Sequence, residues 1–239
     1  MSKRLSVSWI ITMLTVFALA GCQSTGGVDD GPSAVSTSPE GSTDEAAESQ
    51  PAPKAGQPLV APAPEGRLEA TFAGGCFWCM EGPFEKLDGV DEVYSGYTGG
   101  PEKNPTYGQV SSGKTGHTEA VRVIYDPAKV DYKVLVETFW RSMDPTDAGG
   151  QFADRGPHYR PAIFFHSEEQ KEVALASKAA LEASGKFDKP IVVPVQPAED
   201  FWVAEDYHQD YYKTNEGHYK RYRRGSGREG FLKEVWGDE

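Results

Sequence analysis

The stretch RLEATFAGGCFWCMEGPF, residues 67–84, reads as strand, turn and helix in direct succession. From Arg67 to Ala73 apolar and polar side chains alternate, the period of a strand. Gly74 and Gly75 make a turn, and Phe77, Met80, Phe84 and Leu87 then recur at near-helical spacing. Cys76 therefore stands at a helix start. There the backbone N–H groups and the helix dipole favour thiolate over thiol, which predicts a reactive cysteine. Gly82 and Pro83 fall inside the same run, so the helix is expected to be short, kinked or restarted.

Outward from this unit, the rest reads as interleaved strands and helices without a repeat. Residues 119–126 (EAVRVIYD), 162–166 (AIFFH) and 190–195 (PIVVPV) are rich in branched and aromatic residues and are strand-like. In DYKVLVETFWRS, Tyr132, Leu135, Val136, Phe139 and Trp140 share one helical stripe. SEEQKEVALASKAALEASG opens with a capping-box pattern, Ser167 to Gln170, and closes at Gly185. The Gly-rich polar connection over 99–119 is long enough to suggest a functional loop. The expectation is one α/β (α+β) domain over 67–239: a two-layer arrangement of a mixed sheet packed with helices, carrying long irregular loops and a C-terminal tail.

With 239 residues and 38% hydrophobic side chains the chain can build a core. Its formal charge of −12 argues against a nucleic-acid partner. The basic and aromatic run YYKTNEGHYKRYRRGSGREGF could contact single strands, but in so acidic a chain it is read as a packed, wrapping tail, with contact to a reducing partner as a further option.

The first 66 residues are of another kind. Residues 1–22 begin with Lys3 and Arg4, continue through a short apolar core and end on LAGC. They read as a secretory signal rather than a membrane span. LAGC resembles the bacterial lipobox, which implies cleavage before Cys22 and lipidation of that cysteine. Gln23 behind it, rather than Asp, implies the outer membrane. Residues 23–66 are rich in Pro, Ser and Gly, and set seven acids against Lys54 alone, a composition that reads as a disordered acidic linker. A lipid-anchored cell-envelope protein facing the periplasm is expected.

Of the three cysteines, Cys22 is then consumed by lipid. Cys76 and Cys79 remain together in an oxidising compartment. Zinc would need four Cys or His ligands, and His117, His158, His166, His208 and His218 show no paired spacing; no metal is expected. A disulfide across so short a loop constrains the unfolded chain little. Redox or nucleophilic work is the leading reading, with a thioredoxin-like disulfide oxidoreductase as the alternative.

Four segments in register, GCFWCMEGPFEKLDGVDEVYSGYTGG, NPTYGQVSSGKTGHTEAVRVIYDP, FWRSMDPTDAGGQFADRGPHYRPAIFF and FWVAEDYHQDYY, resemble the A-type peptide methionine sulfoxide reductases. The resemblance implies reduction of methionine S-sulfoxide in oxidised proteins, without a bound cofactor. Cys76 matches the family's nucleophile and Glu119 its acid. Tyr107 and Tyr159 match donors to the sulfoxide oxygen, Phe77 and Trp78 the wall around the S-methyl group, and Asp154 an acidic residue lining the pocket. His158 stands where many relatives carry Gln, and no role follows for it. Because no cysteine comes after Cys79, the resemblance implies that Cys79 resolves the Cys76 sulfenic acid as a disulfide, to be reduced by a thioredoxin-like partner. Direct resolution by an outside thiol stays open. The protein is expected to act as a monomer.

Overall fold

The computed structural model describes residues 54, 56–58 and 62–237. The signal segment with Cys22 and most of the 23–66 linker lie outside them. Six strands form one mixed sheet in the order β7-β6-β1-β3-β2-β8. They are β1 (Leu68–Ala73), β2 (Val90–Thr98), β3 (Thr118–Tyr125), β6 (Ala162–Phe165), β7 (Val195–Pro197) and β8 (Trp202–Val203). A two-stranded ribbon, β4 (Gly150–Gln151) with β5 (Asp154–Arg155), stands apart. Neighbouring strands are antiparallel except for β6 with β7. The mixed sheet packed with helices follows the expectation from sequence.

Strand β3 sits in the middle of the sheet and is buried along its whole length. Val121, Val123 and Tyr125 point into the main core, together with Ala70 and Phe72 of β1. Helices α1 (Phe77–Glu85) and α3 (Tyr132–Trp140) cover that face, and Phe72 stacks on both Phe84 and Phe139. All five residues of the expected α3 stripe are buried. On the reverse face a smaller cluster gathers Ala73, Ala120, Ala162, Phe164, Phe201 and Val203. The 4% exposed Arg122 lies there too, paired with Glu69.

Helix α4 (Glu168–Ala183) begins where the sequence indicates. Ser167 Oγ accepts from Gln170 N, but Gln170 Oε1 accepts from His166 N, so only half of the capping box forms. Helix α1 runs through Pro83 and stops two residues later. Proline leaves the Cys79 carbonyl without its i+4 donor, which the helix tolerates only near its end.

Two expectations are corrected. PIVVPV is not a strand: β7 begins only at Val195. Pro190 and Pro194 have no N–H to give a ladder, although Ile191 and Val193 are still buried. Conversely β2, the longest strand, is absent from the strand-like runs because its outer half exposes Asp91 and Glu92 and its middle holds Gly96. A Cβ at Gly96 would lie 2.4 Å from Trp202 O. Only glycine allows β8 to approach so closely.

The tail beyond β8 is helical: α5 (Tyr211–Thr214), α6 (Glu216–Gly225) and α7 (Arg228–Trp236). Among the described residues no helix is long and apolar enough to cross a membrane.

Candidate active site

The turn between β1 and α1 places Cys76 at the N-cap of the helix, with Cys79 one turn on. Gly75 takes φ +84, and a Cβ there would fall 2.5 Å from Gln151 Cβ. The chain can therefore turn this tightly only without a side chain. Cys76 and Cys79 are both free thiols, 4% and 1% exposed.

Directly behind the cap, Glu119 rises from the start of β3. It is 1% exposed, and its Oε2 accepts a hydrogen bond of 3.1 Å from Phe77 N. Burial is the main cause that lifts its pKa to about 8, aided by the nearby Asp154 and Cys79. At neutral pH Glu119 is therefore a protonated acid beside a thiol. Asp154 of β5 faces it from the ribbon. Tyr107 begins α2 (Tyr107–Ser111), and Tyr159 ends the 3₁₀ turn Pro157–Tyr159. The phenol of Tyr107 is pushed up to about 12 and that of Tyr159 well above its usual value, first by burial and then by Glu119 and Cys76. Both hydroxyls stay neutral donors facing the same acid and thiol. The seven predicted residues of the catalytic domain other than Trp78 thus converge through burial and electrostatic contact.

Trp78 joins them through groups to which sequence reasoning assigns no role. Its indole Nε1 donates to His208 Nδ1 at 3.1 Å, and its ring stacks on Tyr211 at 3.8 Å between centroids. Burial drives His208 down to about 4, so the imidazole is neutral and free to accept. Glu205 accepts from Tyr97 OH and from Tyr107 N, each at 2.8 Å. The segment is pinned to β2 because Gln209 exchanges hydrogen bonds with Ser95 N and Ser95 O. Motif AEDYHQDYY thus works as a clip that orients Tyr107 and Trp78. Its signal in sequence was the crowding of acid, histidine and aromatics, which does not say where each one points.

Two tail residues also enter. Tyr222 OH of α6 donates to Asp154 Oδ2 at 2.5 Å, and the same hydroxyl lies by the Cys76 sulfur and favours its ionisation. Arg228, first in α7, is wholly buried and donates to Ser142 O and Gly74 O. The carbonyl of His158 accepts from Thr118 Oγ1 at 3.1 Å, and its ring packs on Tyr159 at 4.2 Å between centroids. Among the described residues the one carboxylate group spaced for a metal ion, Glu81, Glu85 and Asp210, is bridged by Lys213.

The expected thiolate on Cys76 is corrected. Burial, the Cys79 sulfur and the Glu119 carboxyl push the Cys76 thiol up. Cys79 falls to about 7, chiefly because the Cys76 thiol donates to it, with Arg228 and Arg223 adding their charge. The helix-start effect on Cys76 is outweighed by desolvation beside two acidic neighbours.

A buried thiol pair beside a neutral glutamic acid and two neutral phenol donors defines a thiol-dependent oxidoreductase. Residues 68–239 match the family described as peptide methionine sulfoxide reductase. The peptide methionine sulfoxide reductase MsrA of Bacillus velezensis is 59% identical over 169 residues, 71% of this chain and 96% of that one. Among solved structures, methionine sulfoxide reductase A of Corynebacterium diphtheriae aligns with TM-score 0.57 at 32% identity, over 64% of this chain and 76% of that one. Mxr1 of Saccharomyces cerevisiae in reduced form aligns with TM-score 0.59 at 29% identity, over 66% and 91%. The chain belongs to the peptide methionine sulfoxide reductase family. It is a peptide-methionine (S)-S-oxide reductase, which returns methionine sulfoxide to methionine at the expense of thiols.

Proposed function

We propose that Cys76 attacks the sulfoxide sulfur while Glu119 gives its proton to the departing oxygen. Attack forms a bond between Cys76 Sγ and the substrate sulfur, with the protonated oxygen held as a hydroxyl. The hydroxyl then passes to Cys76 Sγ as the S–O and S–S bonds to the substrate sulfur break, releasing methionine and leaving Cys76 as a sulfenic acid. Tyr107 and Tyr159 donate hydrogen bonds to the sulfoxide oxygen. Phe77 and Trp78 hold the S-methyl group against their rings, and Asp154 lines the pocket. The observation that carries this reading is the buried, neutral Glu119 bonded to the residue that follows Cys76. It is the state a general acid needs at neutral pH. The attacking thiol ionises when substrate enters, its proton passing to Cys79 and on to solvent, which restores the Cys79 thiolate before the second step.

Cys79 then attacks the Cys76 sulfur, forming a disulfide and releasing water after protonation. The disulfide is passed to an external dithiol of thioredoxin type, which is oxidised in turn. The test is single-turnover methionine release from resolved S and R sulfoxides with wild type, Cys76→Ser, Cys79→Ser and Glu119→Gln. Release by Cys79→Ser with loss of thioredoxin-driven cycling supports the scheme; release by Cys76→Ser overturns it. A plain disulfide carrier would instead reduce insulin and ignore added sulfoxide.

The signal and linker support a second part of the proposal. The chain is anchored through lipid on Cys22, in the outer membrane of a two-membrane bacterium, with the domain acting as a monomer on oxidised periplasmic proteins. Incorporation of labelled palmitate that persists in Cys22→Ser would refute the anchor.

A further inference from the structure

Arg228 is 0% exposed, yet every group it touches is neutral. Its guanidinium donates to the carbonyls of Ser142 and Gly74, the latter at 3.2 Å. It lies 4.0 Å from Met80 Sδ and 4.8 Å over the ring of Phe152. Its Nε has no partner, and among the described residues it forms no ion pair. A buried cation without a counter-charge is unfavourable unless a nearby group ionises to meet it. Carbonyl dipoles and a ring face offset only part of that cost.

One acidic group answers this description. Cys79 is 1% exposed and precedes Met80, the residue Arg228 touches on α1. The groups facing it are the Cys76 thiol, Arg228, Arg223 and Tyr219 of the tail helices, Asp154 of β5 and Glu119 of β3. Glu119 is neutral, and Asp154 is engaged by Tyr222. Both cations favour the Cys79 thiolate, but Arg223 is half-buried and its guanidinium also serves Tyr219 OH, whereas Arg228 is fully buried.

We propose that Arg228 is the counter-charge that keeps Cys79 ionised, and so sets the rate at which Cys79 resolves the sulfenic acid on Cys76. The step is Cys79–S⁻ attacking Cys76–SOH: the S–S bond forms, the S–O bond breaks, and hydroxide leaves and takes a proton from solvent to become water. Only the thiolate is nucleophilic, so the fraction ionised multiplies the rate. Arg228 is a positioning residue here; it touches neither substrate nor the reacting sulfur of Cys76. The inference rests on the reading of Cys79 as the resolving thiol.

The test uses the full reduced chain as wild type, Arg228→Lys and Arg228→Met. Cys79 ionisation is followed by pH-dependent alkylation with iodoacetamide in a Cys76→Ser background, which keeps a hydroxyl donor at that position. Disulfide formation and methionine release are timed separately from pH 6 to 9.5 by rapid quench. In Arg228→Met the Cys79 midpoint is expected to rise by about one unit, with disulfide formation about fivefold slower at pH 7 and recovering above pH 9. Arg228→Lys gives a smaller shift and stands in where Arg228→Met does not fold. An unshifted midpoint, or slowing by the same factor at every pH, would assign Arg228 a structural role only and overturn the proposal. If instead wild type forms no Cys76–Cys79 disulfide and Cys79→Ser cycles normally, the reading of Cys79 itself fails, whatever the titration shows.

Discussion

Phe77 N donates to Glu119 Oε2 across the start of α1, so the residue after the nucleophile holds the acid in place. One hydrogen bond thereby fixes the acid against the cap of the helix that carries Cys76. The same bond favours ionisation of Glu119, but burial outweighs it and leaves the carboxyl neutral.

This balance predicts the alkaline limb of the pH profile. As pH rises through about 8, Glu119 loses the proton it must give, and kcat/KM should fall along that limb. Glu119→Gln keeps an acceptor for Phe77 N but has no acid proton. It should lower single-turnover release about 100-fold or more and abolish the limb; a limb retained in Glu119→Gln would refute the assignment.

The same raised pKa makes a stability prediction. Glu119 and Glu81 both stand near 8 against 4.5 for the ordinary side chain. Between those values the folded chain holds protons that the unfolded chain has released, so stability falls as pH rises. Glu81 is 0% exposed, with Oε1 on Asp210 N and Oε2 unpartnered. Glu81→Gln should therefore raise Tm at pH 8, by about 3 °C or more, and the gain should vanish near pH 4.5. Scanning calorimetry at the two pH values decides.

His208→Ala removes the acceptor of Trp78 Nε1 and one aromatic neighbour of Phe77, 4.9 Å away. The wall of the proposed pocket loses its orientation. KM for a sulfoxide peptide should rise about tenfold, in line with the ~1–3 kcal/mol of an orphaned buried donor, and kcat should change less. Steady-state kinetics separate the two effects.

Tyr222→Phe retains the ring that meets Trp78 edge-on at 5.8 Å but removes the hydroxyl from Asp154 and Cys76. Without that hydroxyl, Cys76 should ionise at a higher pH, since Tyr222 is the one group that lowers its pKa. Alkylation of Cys76 at fixed pH should slow several-fold, and an unchanged rate would remove Tyr222 from the site.

Gly75→Ala places a methyl group 2.5 Å from Gln151 Cβ at φ +84. Left-handed strain for a non-glycine residue costs about 1–3 kcal/mol, and the overlap adds to it. A fall in Tm of several degrees with lower activity is expected, read by thermal melting and single-turnover release.

Much of the domain was legible where the physics is local. The strand-turn-helix at 67–85, the stripe on α3 and the cap at Ser167 depend on side-chain period and on backbone groups within a few residues. Glu119 could be picked out as the acid only by resemblance, since its pKa depends on burial that no neighbouring residue supplies. Strand β2 escaped notice because Asp91, Glu92 and Gly96 suit an edge and a close approach, neither of which is visible before the sheet exists.

The sequence by itself determined which residue types the chemistry has available: two cysteines at a helix start, a glutamate at a strand start, and phenols in loops. Their order along the chain was enough to identify the family. Only the tertiary structure decided their states. Arg228 comes from the far end of the chain to lie beneath Gly74, His208 turns to Trp78, and Tyr222 reaches Asp154. Within the thiol pair the surroundings push Cys76 up and Cys79 down. Desolvation and long-range charge act through space, so where a proton resides depends on which distant groups the fold has brought together.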